Sequence, residues 1–283
     1  MSNRNEIRRA GVAGWPVTHS RSPIIHQHWL REFGIEARYE RFAIRPGEFP
    51  SFAIKIGRDG LVGSNVTIPH KEAAFAACDR RTAVAETLRS VNTLWREDGL
   101  LWGDNTDVEG FLANMDEAAP GWAESTRAAV VIGAGGTARA VIGALALRGL
   151  QRIAIVNRTH ERAVALAERF RAGAIALPWR ALPSELSWAD LLVNASSLGM
   201  RGEPPLNVGV NLLPNHAVVA DIVYVPLHTP LIETARARGL RVAEGLGMLL
   251  HQAAPAFEKW FGQRPVITRD LRTLVEADIV SER

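Results

Sequence analysis

The chain has 283 residues, 47% of them apolar, with 33 basic against 30 acidic side chains, 24 Gly and 15 Pro. That is ordinary globular composition at a length for one large or two smaller domains, and it excludes a disordered, collagen-like or coiled-coil protein. No apolar run approaches the ~18–20 residues needed to span a bilayer, residues 1–9 do not read as a signal peptide, and Cys78 has no cysteine partner, so a soluble, cytoplasmic protein is expected.

The basic residues are nearly all arginine: only Lys55, Lys71 and Lys259 are lysines, and charges of both signs are interspersed without a basic run. Nucleic-acid binding needs a clustered basic face, so no nucleic-acid partner is expected, and no membrane partner either. In such a chain a lysine inside a motif points to chemistry rather than to charge.

Gly11 to Val17 reads as a strand ending in a turn, and Pro23 opens an amphipathic helix over Ile24 to Phe33. Arg38 to Ile44 alternates polar and apolar as a half-buried strand does. Leu61 to Val66 is strand-like, followed by Pro69 and an alanine-rich helix to Ala77. Val91 to Arg96 and Leu100 to Asp104 flank Asp98-Gly99, a two-residue hairpin signal. After Pro120-Gly121, read as a linker, Ala128 to Ile132 is a short apolar strand suited to burial on both faces of a parallel sheet. A helix to Arg148, a strand at Ile153 to Asn157 and a helix at Glu161 to Phe170 follow. Ala189 to Asn194 and Ala217 to Val223 continue the pattern, and Gly247 to Phe261 and Arg269 to Ile279 read as two terminal helices. Strands alternating with helices predict an α/β protein with a doubly wound parallel sheet, in two domains.

Between the strand at Ala128 and its helix lies Gly133-Ala134-Gly135-Gly136-Thr137-Ala138, which fits the dinucleotide fingerprint of a Rossmann domain. Gly133 allows the tight turn, and Gly135 lets a pyrophosphate approach the amides at the helix start. The next strand ends in Asn157-Arg158-Thr159, with Arg162 one turn on, where NAD-binding domains carry Asp or Glu. Arginine cannot accept a ribose hydroxyl but can pair with a 2′-phosphate, so the expected cofactor is NADP.

The other informative stretches are polar residues at strand ends. Pro16 to Pro23 offers Ser20 and Ser22 at a helix start, a place for an anionic or hydroxylated ligand or for simple helix capping by Ser22. Asn65 to Lys71 offers Asn65, Thr67 and Lys71; Asn92-Thr93 and Asn105-Thr106-Asp107 add amide, hydroxyl and carboxylate groups.

Taken in order, these segments resemble shikimate dehydrogenase over nearly the whole chain. The resemblance rests on Gly14 to Pro23, Asn65 to Lys71, Ser90 to Leu94, Gly103 to Asp107, Gly133 to Gly136, Asn157 to Thr159, Asn194 to Met200, Asp221 to Tyr224 and Glu244 to Gln252. It implies reversible reduction of 3-dehydroshikimate by NADPH, in the chorismate pathway to aromatic amino acids. It implies a substrate-binding domain over residues 1–112, completed by 246–283, around an NADP-binding domain over 113–245. By residue it implies that Ser20 and Ser22 hold the substrate carboxylate and that Thr67, Asn92, Asp107 and Gln252 bond the ring hydroxyls. Lys71 matches the catalytic lysine, with Asp107 beside the reacting oxygen, and Tyr224 a substrate-side tyrosine. Ile222 and Gly245 match positions along the nicotinamide, and Gly133, Ala134, Gly135, Gly136, Thr137, Asn157, Arg158, Thr159 and Arg162 fall on the cofactor side.

Two residues depart from the family pattern: Val108 stands where glycine is usual, beside the carboxylate, and Ser196 where threonine is usual. Val108 keeps a quinate or dual-substrate dehydrogenase open as an alternative. A non-catalytic NADP(H)-sensing module is a second, against which the pair Lys71 and Asp107 argues. No metal is expected, since no pair of histidines has metal-ligand spacing with a carboxylate and Cys78 has no cysteine partner; His19, His70 and His251 read as non-catalytic, His19 as bracing its loop. The partner is a small molecule, and the chain a monomer or homodimer.

Overall fold

The computed structural model describes residues 7–170 and 173–281. In chain order its strands and helices begin with β1 (Arg8–Gly14), α1 (Ser22–Glu32), β2 (Ala37–Ala43), α2 (Phe49–Ala53), β3 (Gly63–Val66) and α3 (Lys71–Ala77). Next come β4 (Arg80–Arg81), α4 (Ala83–Leu88), β5 (Thr93–Glu97), β6 (Leu100–Asp104), α5 (Asp107–Ala118) and α6 (Trp122–Ser125). They continue with β7 (Ala128–Ile132), α7 (Gly136–Leu147), β8 (Arg152–Val156), α8 (His160–Phe170), β9 (Ala174–Leu177), α9 (Leu182–Leu186) and β10 (Leu191–Asn194). β11 (Val218–Asp221), α10 (Pro230–Ala237), β12 (Arg241–Ala243), α11 (Gly245–Phe261) and α12 (Arg269–Ser281) complete them. No helix among the described residues is long and apolar enough to cross a membrane.

The chain forms two compact units, one of residues 1–106 with 252–275, the other of 107–251 with 276–283. The first is built on a six-stranded mixed sheet in the order β2-β1-β3-β5-β6-β4. β1 pairs in parallel with β2 and β3, while β5 runs antiparallel to β3 and to β6. The β5–β6 turn is the expected two-residue hairpin: Asp98 and Gly99 both take positive φ, 51° and 77°, as the primed turn that matches strand twist requires. Trp95 and Trp102 face each other across that hairpin and stack. One core cluster, with Phe49, Phe52, Ile56, Leu61, Leu94 and Leu101, lies against this sheet. The polar motifs all fall at strand ends or just beyond them.

The second unit carries a six-stranded sheet in the order β9-β8-β7-β10-β11-β12, parallel throughout. β7, β10 and β11 are buried along their whole length, which explains their unbroken apolar sequences. The strand order reverses between β7 and β10, and ligands of such sheets bind at the carboxyl ends beside that switch point. Pro120 and Gly121 join α5 to α6 inside this second unit. Val108 sits in the first turn of α5, in helical backbone with its side chain buried.

Candidate functional site

In the first unit a hydrogen-bonded polar cluster runs across the ends of three neighbouring strands. Asn65, the third residue of β3, donates through Nδ2 to the Asn92 carbonyl (3.3 Å) and to Thr93 Oγ1 (3.2 Å). Thr93 Oγ1 donates to Asn92 Oδ1 (3.0 Å), which also accepts the Thr106 backbone N–H (2.8 Å). Asn92 Nδ2 donates to Thr106 Oγ1 (3.1 Å). All four side chains are buried, and buried carboxamides hold an orientation only when both ends are engaged. The cluster thus fixes Asn92 and leads through Thr106 to Asp107, the first residue of α5.

Lys71 is the first residue of α3, half-buried, and its carbonyl accepts the Val91 N–H at 3.0 Å, which pins the helix start to the segment that carries Asn92 into β5. A lysine at a helix N-terminus opposes the macrodipole, so local stability does not explain it. His70, just before it, is buried, bonds the Ile44 carbonyl through Nε2 (2.7 Å) and stacks on Phe49. It braces the turn. Thr67 is half-buried in the same turn, its N–H donating to the Ala13 carbonyl (2.9 Å).

Ser22 is the first residue of α1 rather than its cap; the cap position is Arg21, with no side-chain cap bond. Instead Ser20 Oγ accepts the Ser22 N–H at 3.3 Å, and the Ser20 carbonyl accepts from Arg41 (2.7 Å), so the two serines are tied to each other and to β2. Gln252 is half-buried on α11.

The second unit places the glycine turn at the carboxyl end of β7. Gly133 has φ +120°, and a Cβ there would lie 2.6 Å from the Ala195 carbonyl oxygen, so the turn packs on the loop after β10. Gly135, the N-cap of α7, has an ordinary extended backbone, no side-chain cap, and open space where its Cβ would stand. Ala134, Gly136 and Thr137 flank it, half-buried. A helix start left bare with one side open is what a pyrophosphate needs. β8 lies beside β7, the Gly133 N–H donating to the Val156 carbonyl (2.8 Å). Past its end Asn157 Nδ2 donates to the Thr159 carbonyl (2.8 Å), and Arg158, Thr159 and Arg162 are exposed next to the turn. Cationic side chains with no acid among residues 157–159 fit a 2′-phosphate and not a bare ribose diol.

Ile222 follows β11, and a Cβ on Gly245 would overlap its carbonyl, so these two positions meet at the sheet's carboxyl edge, with Tyr224 half-buried two residues on. Three residues outside the expected set hold this edge. Asp221 accepts from Asn194 Nδ2 (2.9 Å), Thr229 Oγ1 (2.7 Å) and the Val223 N–H (3.0 Å). Asn194 in turn accepts from the Ser196 N–H (3.1 Å) and hydroxyl (2.7 Å), so the hydroxyl retained at Ser196 is used. Asn194 and Asp221 close strands and lie in segments that carry the family resemblance, while Thr229 is signalled only as a threonine before Pro230 at a helix start. His251 bonds Glu117 (2.6 Å). No group of three or more His, Cys, Asp or Glu side chains among the described residues is placed to hold a metal ion.

Known proteins share both halves of this arrangement. Residues 12–94 match the shikimate dehydrogenase substrate binding domain, residues 118–199 the shikimate / quinate 5-dehydrogenase model, and residues 245–267 the shikimate 5′-dehydrogenase C-terminal domain. The shikimate dehydrogenase (NADP(+)) of Methylocella silvestris is 57% identical over 96% of both chains. Among solved structures, the quinate dehydrogenase of Corynebacterium glutamicum in complex with NAD superposes with a TM-score of 0.88 at 29% identity, covering 96% of this chain and all of that one. The shikimate 5-dehydrogenase of Thermus thermophilus in complex with NADP(H) and shikimate gives 0.81 at 36% identity, over 97% of this chain and 99% of that one. With the polar cluster in one unit, the open glycine turn in the other, and this identity along nearly the full length, the chain belongs to the shikimate dehydrogenase family.

Proposed function

We propose that this chain is an NADP-dependent shikimate dehydrogenase that reduces 3-dehydroshikimate reversibly to shikimate, with Lys71 and Asp107 at the reacting oxygen. The observation that carries the substrate side is the buried cluster of Asn65, Asn92, Thr93 and Thr106, which holds donors and acceptors fixed for a polyhydroxylated ring. The reaction belongs to the chorismate route to aromatic amino acids. Residues 1–112 with 246–283 serve the substrate and residues 113–245 the cofactor; the chain works in the cytoplasm as a monomer or homodimer.

Ser20 and Ser22 donate to the substrate carboxylate, and Thr67, Asn92, Asp107 and Gln252 hold the ring hydroxyls, with Tyr224 alongside. Gly133, Ala134, Gly135, Gly136 and Thr137 would hold the pyrophosphate of NADP. Arg158 and Arg162, with Asn157 and Thr159, take the 2′-phosphate, and Ile222 and Gly245 line the nicotinamide. The bound nicotinamide supplies the hydride to the ketone carbon. As negative charge builds on the carbonyl oxygen, the Lys71 ammonium stabilises it and delivers the proton that completes the hydroxyl. Asp107 stands beside Lys71 at the same oxygen and keeps it oriented.

The test is absorbance at the NADPH band, offering shikimate or quinate with NADP⁺ or NAD⁺, and repeating the best pair with Lys71→Ala. The expected result is strong NADP⁺ reduction with shikimate alone, and a loss of kcat of at least about 100-fold in the variant with KM little changed. Preference for quinate or NAD⁺ moves the chain to the activity named for the Corynebacterium neighbour. Near-normal turnover of Lys71→Ala removes Lys71 from the chemistry.

A further inference from the structure

We propose that Tyr39 is a positioning residue for the substrate ring, its buried hydroxyl setting the orientation of the Asn65 carboxamide and through it that of Asn92. The proposal rests on the assignment of Asn92 as a substrate-binding group.

Tyr39 lies in the middle of β2 and is 2% exposed. Its ring stacks flat on His26, centroids 4.0 Å apart and planes 1° from parallel, with Trp260 tilted against its edge at 6.1 Å. The ring alone would be satisfied as core. The hydroxyl is the part that needs a reason, because a buried phenol must find a partner. It donates to Asn65 Oδ1 at 2.7 Å. Burial pushes the Tyr39 pKa well above the usual phenol range, so it remains a donor at every working pH.

A phenol has one proton to give, and a carboxamide has one acceptor end and one donor end. With Oδ1 claimed by Tyr39, Asn65 must turn Nδ2 toward Asn92 O and Thr93 Oγ1, where it is found. Thr93 Oγ1, accepting from Asn65, passes its own proton to Asn92 Oδ1. Asn92 Oδ1 is thereby fixed on the Thr93 hydroxyl and the Thr106 N–H, and its Nδ2 on Thr106 Oγ1. The polarity of the whole chain is set at its buried end.

Tyr39→Phe keeps the ring and its stack on His26 and removes only the hydroxyl. The expected result is a rise of about tenfold in KM for shikimate, the scale of one lost hydrogen bond, with kcat and KM for NADP⁺ within about twofold. Combined with Asn92→Ala, whose own KM should rise, Tyr39→Phe should add almost nothing further, because both act through one amide. A hydroxyl that serves stability alone would lower the melting temperature on removal and leave KM for shikimate unmoved, which overturns the proposal. If Asn92→Ala itself leaves KM unmoved, the proposal falls together with the substrate assignment, and the two failures are told apart by that control. Should Tyr39→Phe not fold, Asn65→Asp breaks the same relay one link on. It still accepts from Tyr39 but cannot donate to Thr93, and an unchanged KM there overturns the proposal equally.

Discussion

A carboxylate with three donors around it ordinarily titrates low, yet Asp221 is pushed up to about 6. Burial is the largest cause and outweighs the bonds from Thr229, Val223 and Asn194. Asp221 ties together three pieces of the chain: the end of β10 through the Asn194 side chain, the loop after β11 through the Val223 N–H, and the start of α10, where Thr229 is the N-cap. The linkage has a definite sign. The folded state holds the Asp221 proton more tightly than the unfolded chain, so stability contributed by the protonated form is lost as pH rises from about 4 through 6. The gap between 3.8 and about 6 corresponds to about 3 kcal/mol. Asp221→Asn cannot titrate, so denaturant unfolding of both proteins at pH 4, 5, 6 and 7 should show wild type losing about that much relative to the variant. A difference that stays constant with pH would show that Asp221 ionises like an exposed carboxylate.

Among elements, the turn between β7 and α7 separates two jobs that glycine can do. Gly133 needs its φ of +120° and its contact with the Ala195 backbone, so Gly133→Ala strains the fold itself, by about 1–3 kcal/mol for the backbone alone. Gly135 has a backbone any residue adopts and open space beside it, so Gly135→Ala should fold normally and block the ligand instead. Thermal unfolding and NADPH fluorescence titration on both variants should split accordingly. Gly133→Ala melts lower, while Gly135→Ala melts like wild type and binds NADPH at least about tenfold more weakly. Equal melting losses would mean that the Gly135 site is closed by protein. This turn was fully legible in the sequence, since β7 is an unbroken apolar strand and α7 starts on the glycines. α5 was not, although Val108, Phe111 and Met115 give it a buried face, because its first residue also ends the polar Asn105-Thr106-Asp107 run and drew a reading as a motif. β4, β9 and β12 escaped for a different reason: two to four residues with exposed positions carry too little periodicity to read.

At the scale of the molecule, the unit that carries Lys71, Asn92 and Tyr39 is assembled from the two ends of the sequence. Phe257 and Trp260 of α11 complete the aromatic cluster of His26, Trp29 and Tyr39, and Trp260 Nε1 donates to the Leu94 carbonyl across 166 positions of sequence. This is also why the substrate motifs could be recognised individually while their wiring could not: Tyr39 meets Asn65 across 26 positions, and Asn65 meets Asn92 across 27. Strand periodicity marks Tyr39 as an inward side chain but is silent on what its hydroxyl touches. The same non-local construction makes a further outcome testable. Phe257 is fully buried, and its truncation to alanine should cost about 3–5 kcal/mol. Because each sheet has its own core, the loss should appear as faster amide exchange along β1, β3 and β5, with β7, β8 and β10 changed far less. Exchange that accelerates equally in all six strands would show that the two sheets open as a single cooperative body, and then α11 would be supporting the second sheet as much as the first.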